Sequence, residues 1–402
     1  MNILFLSQRF LLPLDSGGKI RTAKILENLS RKCNITLVSN VNLPRDRIYF
    51  SQIKKLCSKF IPIERKEIPK YSIKYYLKIL YYTFSKYPII VMNDYCKKLE
   101  NAILKEIYNE SYDILICDFV QSSLNVRKVK GPKKVLFQHN VESIIAKRHY
   151  IYSNKLMKLF WWIQWKKMYY FEKNFCSKYD AIIAISENDK VLFKELYNLD
   201  NIYTIPTGVD TIFFAPLKNV KPLKNSLVFC GSMDWLPNED AVIYFVDQIY
   251  PKIRAHISDI SFTIVGKNPS PRLRKQIKKY SEIKLTGWVE DVRPYIARAS
   301  LYIVPLRIGG GTRIKIFEAM AMEKAVVSTS IGAEGLPVKN GEHIILADTP
   351  EKFAEAVIFL LKNPDFRYKI AHNARNYILK NFDWSIVAEK FWQILHHIKQ
   401  LK

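Results

Sequence analysis

Residues 304–336 read VPLRIGGGTRIKIFEAMAMEKAVVSTSIGAEGL. A short apolar strand ends at Leu306 and is followed by three consecutive glycines, Gly309, Gly310 and Gly311. A helix is predicted over residues 312–322, and a second apolar strand over 325–329. Glycines between a strand and a helix let the backbone approach a ligand closely, because no Cβ intervenes. The helix start then offers unpaired N–H groups and a positive dipole end to an anion such as phosphate. Arg313 and Lys315 fall in the first turn, where the dipole disfavours cations unless an anion is bound there. Glu318 lies further along an otherwise apolar helix, where a carboxylate can accept paired hydroxyls such as those of a ribose. Taken alone, the loop fits a tight turn equally well, with Lys315 and Glu318 as a surface pair three residues apart. The rest of the chain decides between the two.

With 402 residues, two domains are expected. The net charge is +26 and unevenly spread: residues 1–200 hold 35 Lys and Arg against 18 Asp and Glu, the remainder 28 against 19. Such a surface favours anionic partners. Part of the excess is compositional, since Lys, Ile, Asn and Tyr are all abundant. No nucleic-acid-binding motif accompanies it, so nucleic acid is not expected as a partner. The six cysteines are scattered without C-x-x-C spacing, which argues against a zinc site or redox pair. MNILFLSQRF is too short an apolar run for a signal peptide, and no apolar stretch is long enough to span a bilayer. A cytoplasmic protein is expected, with the inner face of the plasma membrane as its one candidate attachment.

Apolar runs alternate with amphipathic ones, the pattern of a parallel sheet built from βαβ units. In the first half, strands are predicted at 2–7, 34–39, 113–117, 134–138, 181–185 and 202–205. Between the first two lies SGGKIRTAKILENLSRK (residues 16–32), in which Gly17 and Gly18 open a helix. Residues 45–110 are rich in Lys and Tyr and read as helices and loops elaborating the first domain. The second half restarts the pattern, with strands at 226–230, 261–265, 283–286, 301–305 and 325–329, and is helical after Pro350. Ligands in such sheets bind outside the carboxyl ends of the strands. Gly17, Gly309 and His139 all follow predicted strand ends.

The whole pattern resembles the GT-B glycosyltransferases, and within them the retaining glycosyltransferase family 4. The pieces are PLDSGGKIRT (13–22), FQHNVES (137–143), AISENDK (184–190), IPTGVDTIFF (205–214), FCGSMDWLPNEDAV (229–242), GWVEDVRPYIARA (287–299) and the opening stretch. The resemblance implies two Rossmann-like parallel-sheet α/β domains facing each other across a cleft. The acceptor domain would span residues 1–215 and the nucleotide-sugar domain 221–383. A final helix over 384–402 would pack back on the first domain.

The same resemblance places Gly18 beside the donor phosphate and sugar, with Gly17 next to it. It places His139 at the cleft floor, Glu318 on the ribose, and Gly287 beside the base. Gly231, Gly309, Gly310, Gly311 and Thr312 complete the donor-binding backbone. His139, Glu318, Arg313 and Lys315 are the side chains assigned to the reaction. No metal and no cofactor is implied; a nucleoside diphosphate sugar is the co-substrate, and a glycan or lipid-linked molecule in cell-surface polysaccharide or glycoconjugate synthesis is the acceptor.

Two departures qualify this. Gly310 stands where the first glutamate of the family's E-x7-E motif is expected. In addition, GSMDWLPNED lacks the Arg and Lys that many members carry after the first strand of the second domain. Arg313 and Lys315 are expected to supply that charge from the other loop. Two alternatives stay open: another enzyme class on the same fold, a nucleotide-sugar 2-epimerase or a phosphorylase, and a non-catalytic partner subunit, which the missing glutamate keeps alive.

One stretch lies outside the motif set: LMKLFWWIQWKKMYYFEKNF (156–175), which interleaves aromatic residues with lysines. It fits an interfacial helix on an anionic membrane surface, and also a core-facing helix with a solvated lysine side, which is the preferred reading.

Overall fold

The computed structural model describes residues 1–66, 68–69, 72–153, 155–308 and 314–401. The chain divides into two compact units, Met1–Pro206 with Val387–Lys402, and Thr207–Ile386.

The first unit is built on a seven-stranded sheet: β1 (Asn2–Ser7), β2 (Asn34–Val41), β3 (Lys59–Glu64), β4 (Ile114–Asp118), β5 (Lys133–Gln138), β6 (Ala181–Ala184) and β7 (Ile202–Thr204). The second carries six strands: β8 (Ser226–Cys230), β9 (Ser261–Val265), β10 (Ile283–Leu285), β11 (Leu301–Val304), β12 (Val326–Ser328) and β13 (Ile345–Leu346). The orders are β3-β2-β1-β4-β5-β6-β7 and β10-β9-β8-β11-β12-β13. Every pairing within the two sheets is parallel. Each order reverses direction in the middle, between β1 and β4 and between β8 and β11. Such a reversal opens a crevice at the strands' carboxyl ends, where these sheets hold ligands.

The strands are continuous apolar runs because both faces are covered; Ile3, Leu4, Phe5 and Leu6 are all fully buried. Two strands escaped the reading from sequence. β3 reads KFIPIE, and its internal proline confines it to an edge, where it indeed lies. β13 is only two residues long.

The helices that matter below are α1 (Gly17–Leu29), α2 (Ile73–Thr83), α3 (Glu142–Tyr152), α4 (Lys155–Cys176), α5 (Leu236–Tyr244), α6 (Ile314–Ala321) and α7 (Trp384–Gln400). α4 corresponds to the aromatic and lysine-rich stretch. It buries Met168, Phe171, Phe175 and Cys176 in the core of the first unit, so its second half is core-facing. From Val387 onward α7 belongs to the first unit, where Phe391 packs edge-on against Phe137 of β5 with ring centroids 5.2 Å apart. No helix among the described residues is long and apolar enough to cross a membrane.

Candidate active site

In the first unit, the ends of β1, β4 and β5 and the start of α1 bring one polar cluster together. His139 directly follows β5 and is buried. Its Nδ1 lies 2.7 Å from Arg21 Nη1, and its Nε2 lies 2.8 Å from Asp118 Oδ1. A guanidinium only donates, so Nδ1 is the acceptor and the ring proton sits on Nε2, donated to the carboxylate. Burial depresses the imidazole pKa, with Asp118 opposing and Arg21 reinforcing the shift. His139 is therefore neutral, in one tautomer.

Asp118, the last residue of β4, also accepts from Thr22 Oγ1 (3.1 Å) and Ser7 Oγ (3.5 Å). Burial lowers Arg21 to about 10, while the charges of Asp118 and of Asp189, in the AISENDK segment, hold it up. Phe119 stacks on the His139 ring at 4.0 Å and 10°. Its backbone sits at φ +65°, a strained conformation for a bulky residue and one that recurs where structure serves function. A Cβ on Gly18 would stand 3.1 Å from the Phe119 ring and 3.8 Å from His139 Nδ1. Gly17 is exposed at the first position of α1, and no side chain caps that helix start. Gly17, Gly18 and His139 thus meet at one place. Arg21, Thr22, Asp118 and Phe119 join them there, and none of these four carried a distinct signal in the sequence.

Beside the cluster, α3 is capped from α4: both carboxylate oxygens of the buried Glu172 accept backbone N–H groups at 2.8 Å, from Glu142 and Ser143. Glu142 itself is pushed up to about 7 by burial and by the neighbouring Glu172 charge.

In the second unit, Gly309, Gly310, Gly311, Thr312 and Arg313 lie outside the described residues. The helix that follows them, α6, carries Lys315 and Glu318. Lys315 Nζ donates to Asn238 Oδ1 at 2.8 Å and stands 4.4 Å above the Phe229 ring. Asn238 belongs to α5 and in turn donates to the Ser232 carbonyl at 2.9 Å, in the loop after β8. A Cβ on Gly231 would meet both Lys315 Nζ and Asn238 Nδ2 at 2.8 Å, so this glycine keeps space for the pair.

Glu318 is half-buried and, among the described residues, accepts no hydrogen bond and forms no ion pair. Burial pushes it up to about 7, against the pull of Lys315. Arg307, in the loop after β11, clasps Asp240 of α5 with two bonds, 2.6 and 3.1 Å. Two basic side chains thus reach this segment, Lys315 of α6 on Asn238 and Arg307 of the loop after β11 on Asp240, while Arg313 lies outside the described residues. Gly287 sits apart, after β10, at φ +74°, followed by the largely exposed Trp288.

Family models match a segment in each half of the chain. Residues 66–213 match the family described as Glycosyltransferase Family 4, and residues 224–363 match Glycosyl transferases group 1. An uncharacterized 44.6 kDa protein in the cps region of Klebsiella pneumoniae is 26% identical over 387 residues, 92% of this chain and 94% of its own length. A phosphatidyl-myo-inositol mannosyltransferase of Mycobacterium tuberculosis is 28% identical over 224 residues, 53% of this chain and 58% of its own. Among solved structures, sucrose-phosphate synthase from Thermosynechococcus elongatus superposes with a TM-score of 0.72 at 15% identity, covering 99% of each chain. Anabaena HepE in complex with UDP and glucose gives 0.66 at 13% identity, covering 99% of this chain and 100% of its own.

Proposed function

We infer the reaction from the family: the chain belongs to the GT-B glycosyltransferases of family 4, and we propose that it moves a sugar, with retention and without a metal, from a nucleoside diphosphate sugar to a glycan or lipid-linked acceptor. The observation that carries the proposal is Glu318, a carboxylate without a protein partner among the described residues, three positions from a lysine fixed over the end of β8. A half-buried carboxylate, acceptor-only when ionised, favours a ligand offering two hydroxyl donors, as a ribose does. The relative from the capsule region of Klebsiella pneumoniae supports an acceptor in cell-surface polysaccharide synthesis.

In this proposal the second unit holds the donor. Lys315, with Arg313 from the undescribed segment, balances the charge that grows on the departing diphosphate, the kind of preorganised stabilisation that lowers such barriers most. The leaving phosphate oxygen takes the acceptor's proton on the same face, so no protein nucleophile is assigned. His139 flanks the transferred sugar as an oriented neutral dipole and not as a proton carrier, since Asp118 and Arg21 engage both its nitrogens.

The test is thermal stabilisation by UDP-, GDP-, ADP- and CMP-sugars, for the wild type beside Glu318→Ala. Ligand at about a hundred times its Kd adds roughly 2.7 kcal/mol, which a melting curve resolves. One nucleotide class should stabilise the wild type and not the variant, and Arg313→Ala should raise the donor KM and lower kcat. Stabilisation without turnover, across a panel of acceptors, would replace the enzyme with a donor-binding partner subunit.

A further inference from the structure

α2 has the pattern of a core helix and none of the burial. Its large apolar residues Ile73, Tyr76, Leu77, Leu80 and Tyr81, continued by Phe84, fall at spacings of three and four, the stripe that normally faces a core. Here that stripe faces outward. Ile73 is 79% exposed, Tyr81 74% and Phe84 83%, and none of the helix's residues is fully buried. The opposite side, with Tyr75, Ile79 and Tyr82, is the half-buried one. Soluble monomers rarely present a contiguous apolar face of this kind without a use for it.

The stripe continues onto α4. Lys167 Nζ donates to the carbonyls of Thr83 (2.7 Å) and Ser85 (2.6 Å), which pins the end of α2 to the middle of α4. Beside that junction, Tyr87, Trp162, Tyr170 and Phe171 line an open recess of about 570 Å³ together with Lys86 and Lys166. In the first turns of α4, Leu159 is 67% exposed and Trp162 42%. Lysines ring the patch: Lys74 on α2, Lys86 after it, and Lys155, Lys158, Lys166 and Lys178 along and after α4, all exposed. No carboxylate interrupts α2. An apolar stripe with aromatic residues at its margin and a basic rim matches the interface of an anionic bilayer. A second copy of the chain would set two strongly basic faces against each other, since the chain carries +26 and its first 200 residues hold most of the excess.

We propose that α2, with the first half of α4, is a docking surface for an anionic lipid membrane, its apolar stripe entering the interface and its lysines meeting the headgroups. The surface stands apart from the sugar-transfer reaction, and its test needs neither donor nor acceptor. Full-length protein is sedimented with vesicles of phosphatidylcholine alone, and with vesicles of equal parts phosphatidylcholine and phosphatidylglycerol.

Binding is expected to the anionic vesicles only and to weaken as salt rises. The double variant Leu77→Ser, Leu80→Ser should lower partitioning at least about tenfold, because two leucines lose their apolar burial. Both positions are exposed, so its melting temperature should match the wild type. Sedimentation with neither vesicle, or equally with both, would overturn the proposal. So would a concentration-dependent dimer that the double variant abolishes in the absence of lipid.

Discussion

Asp118 Oδ1 lies 2.8 Å from His139 Nε2, and the two residues follow one another on adjacent strand ends, β4 and β5. The carboxylate also takes hydroxyls from α1 and from the end of β1, so a single side chain ties three elements at the centre of the sheet. Its charge does more than that of Asp189 to hold up the buried Arg21. Asp118→Ala should therefore cost about 3 kcal/mol of stability, the range seen when a buried pair loses one partner. Asp118→Asn keeps the shape and an oxygen that can still accept from Nε2–H, and Arg21 still holds Nδ1 as the acceptor, but the negative charge facing Arg21 and the imidazole is gone. It should fold, keep donor KM near the wild-type value and lose kcat. Urea denaturation and steady-state kinetics check the two variants, and an unchanged kcat in Asp118→Asn would remove the Asp118 charge from the mechanism.

Glu318 should make the proposed donor site pH-sensitive. Its carboxyl is raised to about 7 by burial, and only the ionised form accepts from two hydroxyls. Donor affinity should fall as pH drops below about 7. The stability effect has the opposite sense. A raised carboxylate pKa contributes stability below the unfolded value, and that contribution disappears as pH rises through the folded value. At pH 8 the empty site carries a strained anion, so Glu318→Gln should stabilise the unliganded protein by about 1–3 kcal/mol while abolishing donor stabilisation. Melting curves at pH 5 and pH 8, with and without nucleotide, separate the two effects; equal melting temperatures for wild type and variant at pH 8 would refute the strain.

Much of this architecture is legible in the chain because buried parallel strands are continuous apolar runs and their ends are marked by glycines. The strands at 226–230 and 261–265 and the opening of α1 at Gly17 follow directly. What is hidden is partnership at a distance. Nothing local to Asp118 distinguishes it from any acid at a strand end, and Arg21 looks like one more base in a lysine-rich helix. Only the sheet order, which sets β1 beside β4 and β4 beside β5, brings them onto His139. In the same way, Asn238 and Asp240 sit far in sequence from Lys315 and Arg307, and the apolar periodicity of residues 73–84 cannot by itself say whether that face is inward or outward.

Two glycines around the proposed donor site should behave differently. A Cβ on Gly231 meets the far ends of Lys315 and Asn238, both able to swing aside. Gly231→Ala should fold with a loss within about 1 kcal/mol, as for substitutions that neighbours can absorb, and show its defect as a raised donor KM. A Cβ on Gly266 would come within 1.8 Å of the Gly231 carbonyl oxygen, where backbone must move. Gly266→Ala should lose about 3 kcal/mol or more through overpacking and lose donor binding with it. Thermal melts of the purified pair decide, and equal stability would mean the β8 and β9 ends yield more easily than this spacing allows.

The last helix is the remaining prediction. Phe391 of α7 is fully buried and packs on Phe137, while Lys399 reaches Asp113 at 3.0 Å and Glu389 pairs with Lys32. The two ion pairs are half-exposed and worth little, at most about 1 kcal/mol each. The ring dominates. Phe391→Ala should destabilise the first unit by about 3–5 kcal/mol, whereas Lys399→Ala and Glu389→Ala should each change stability by less than about 1 kcal/mol. Because Phe137 lies two residues before His139 and its ring stands 4.5 Å from the imidazole, the cavity left at 391 opens beneath the site. Phe391→Leu, which refills part of that space, should recover a corresponding part of both stability and turnover. Recovery of stability alone would confine the helix to a structural role.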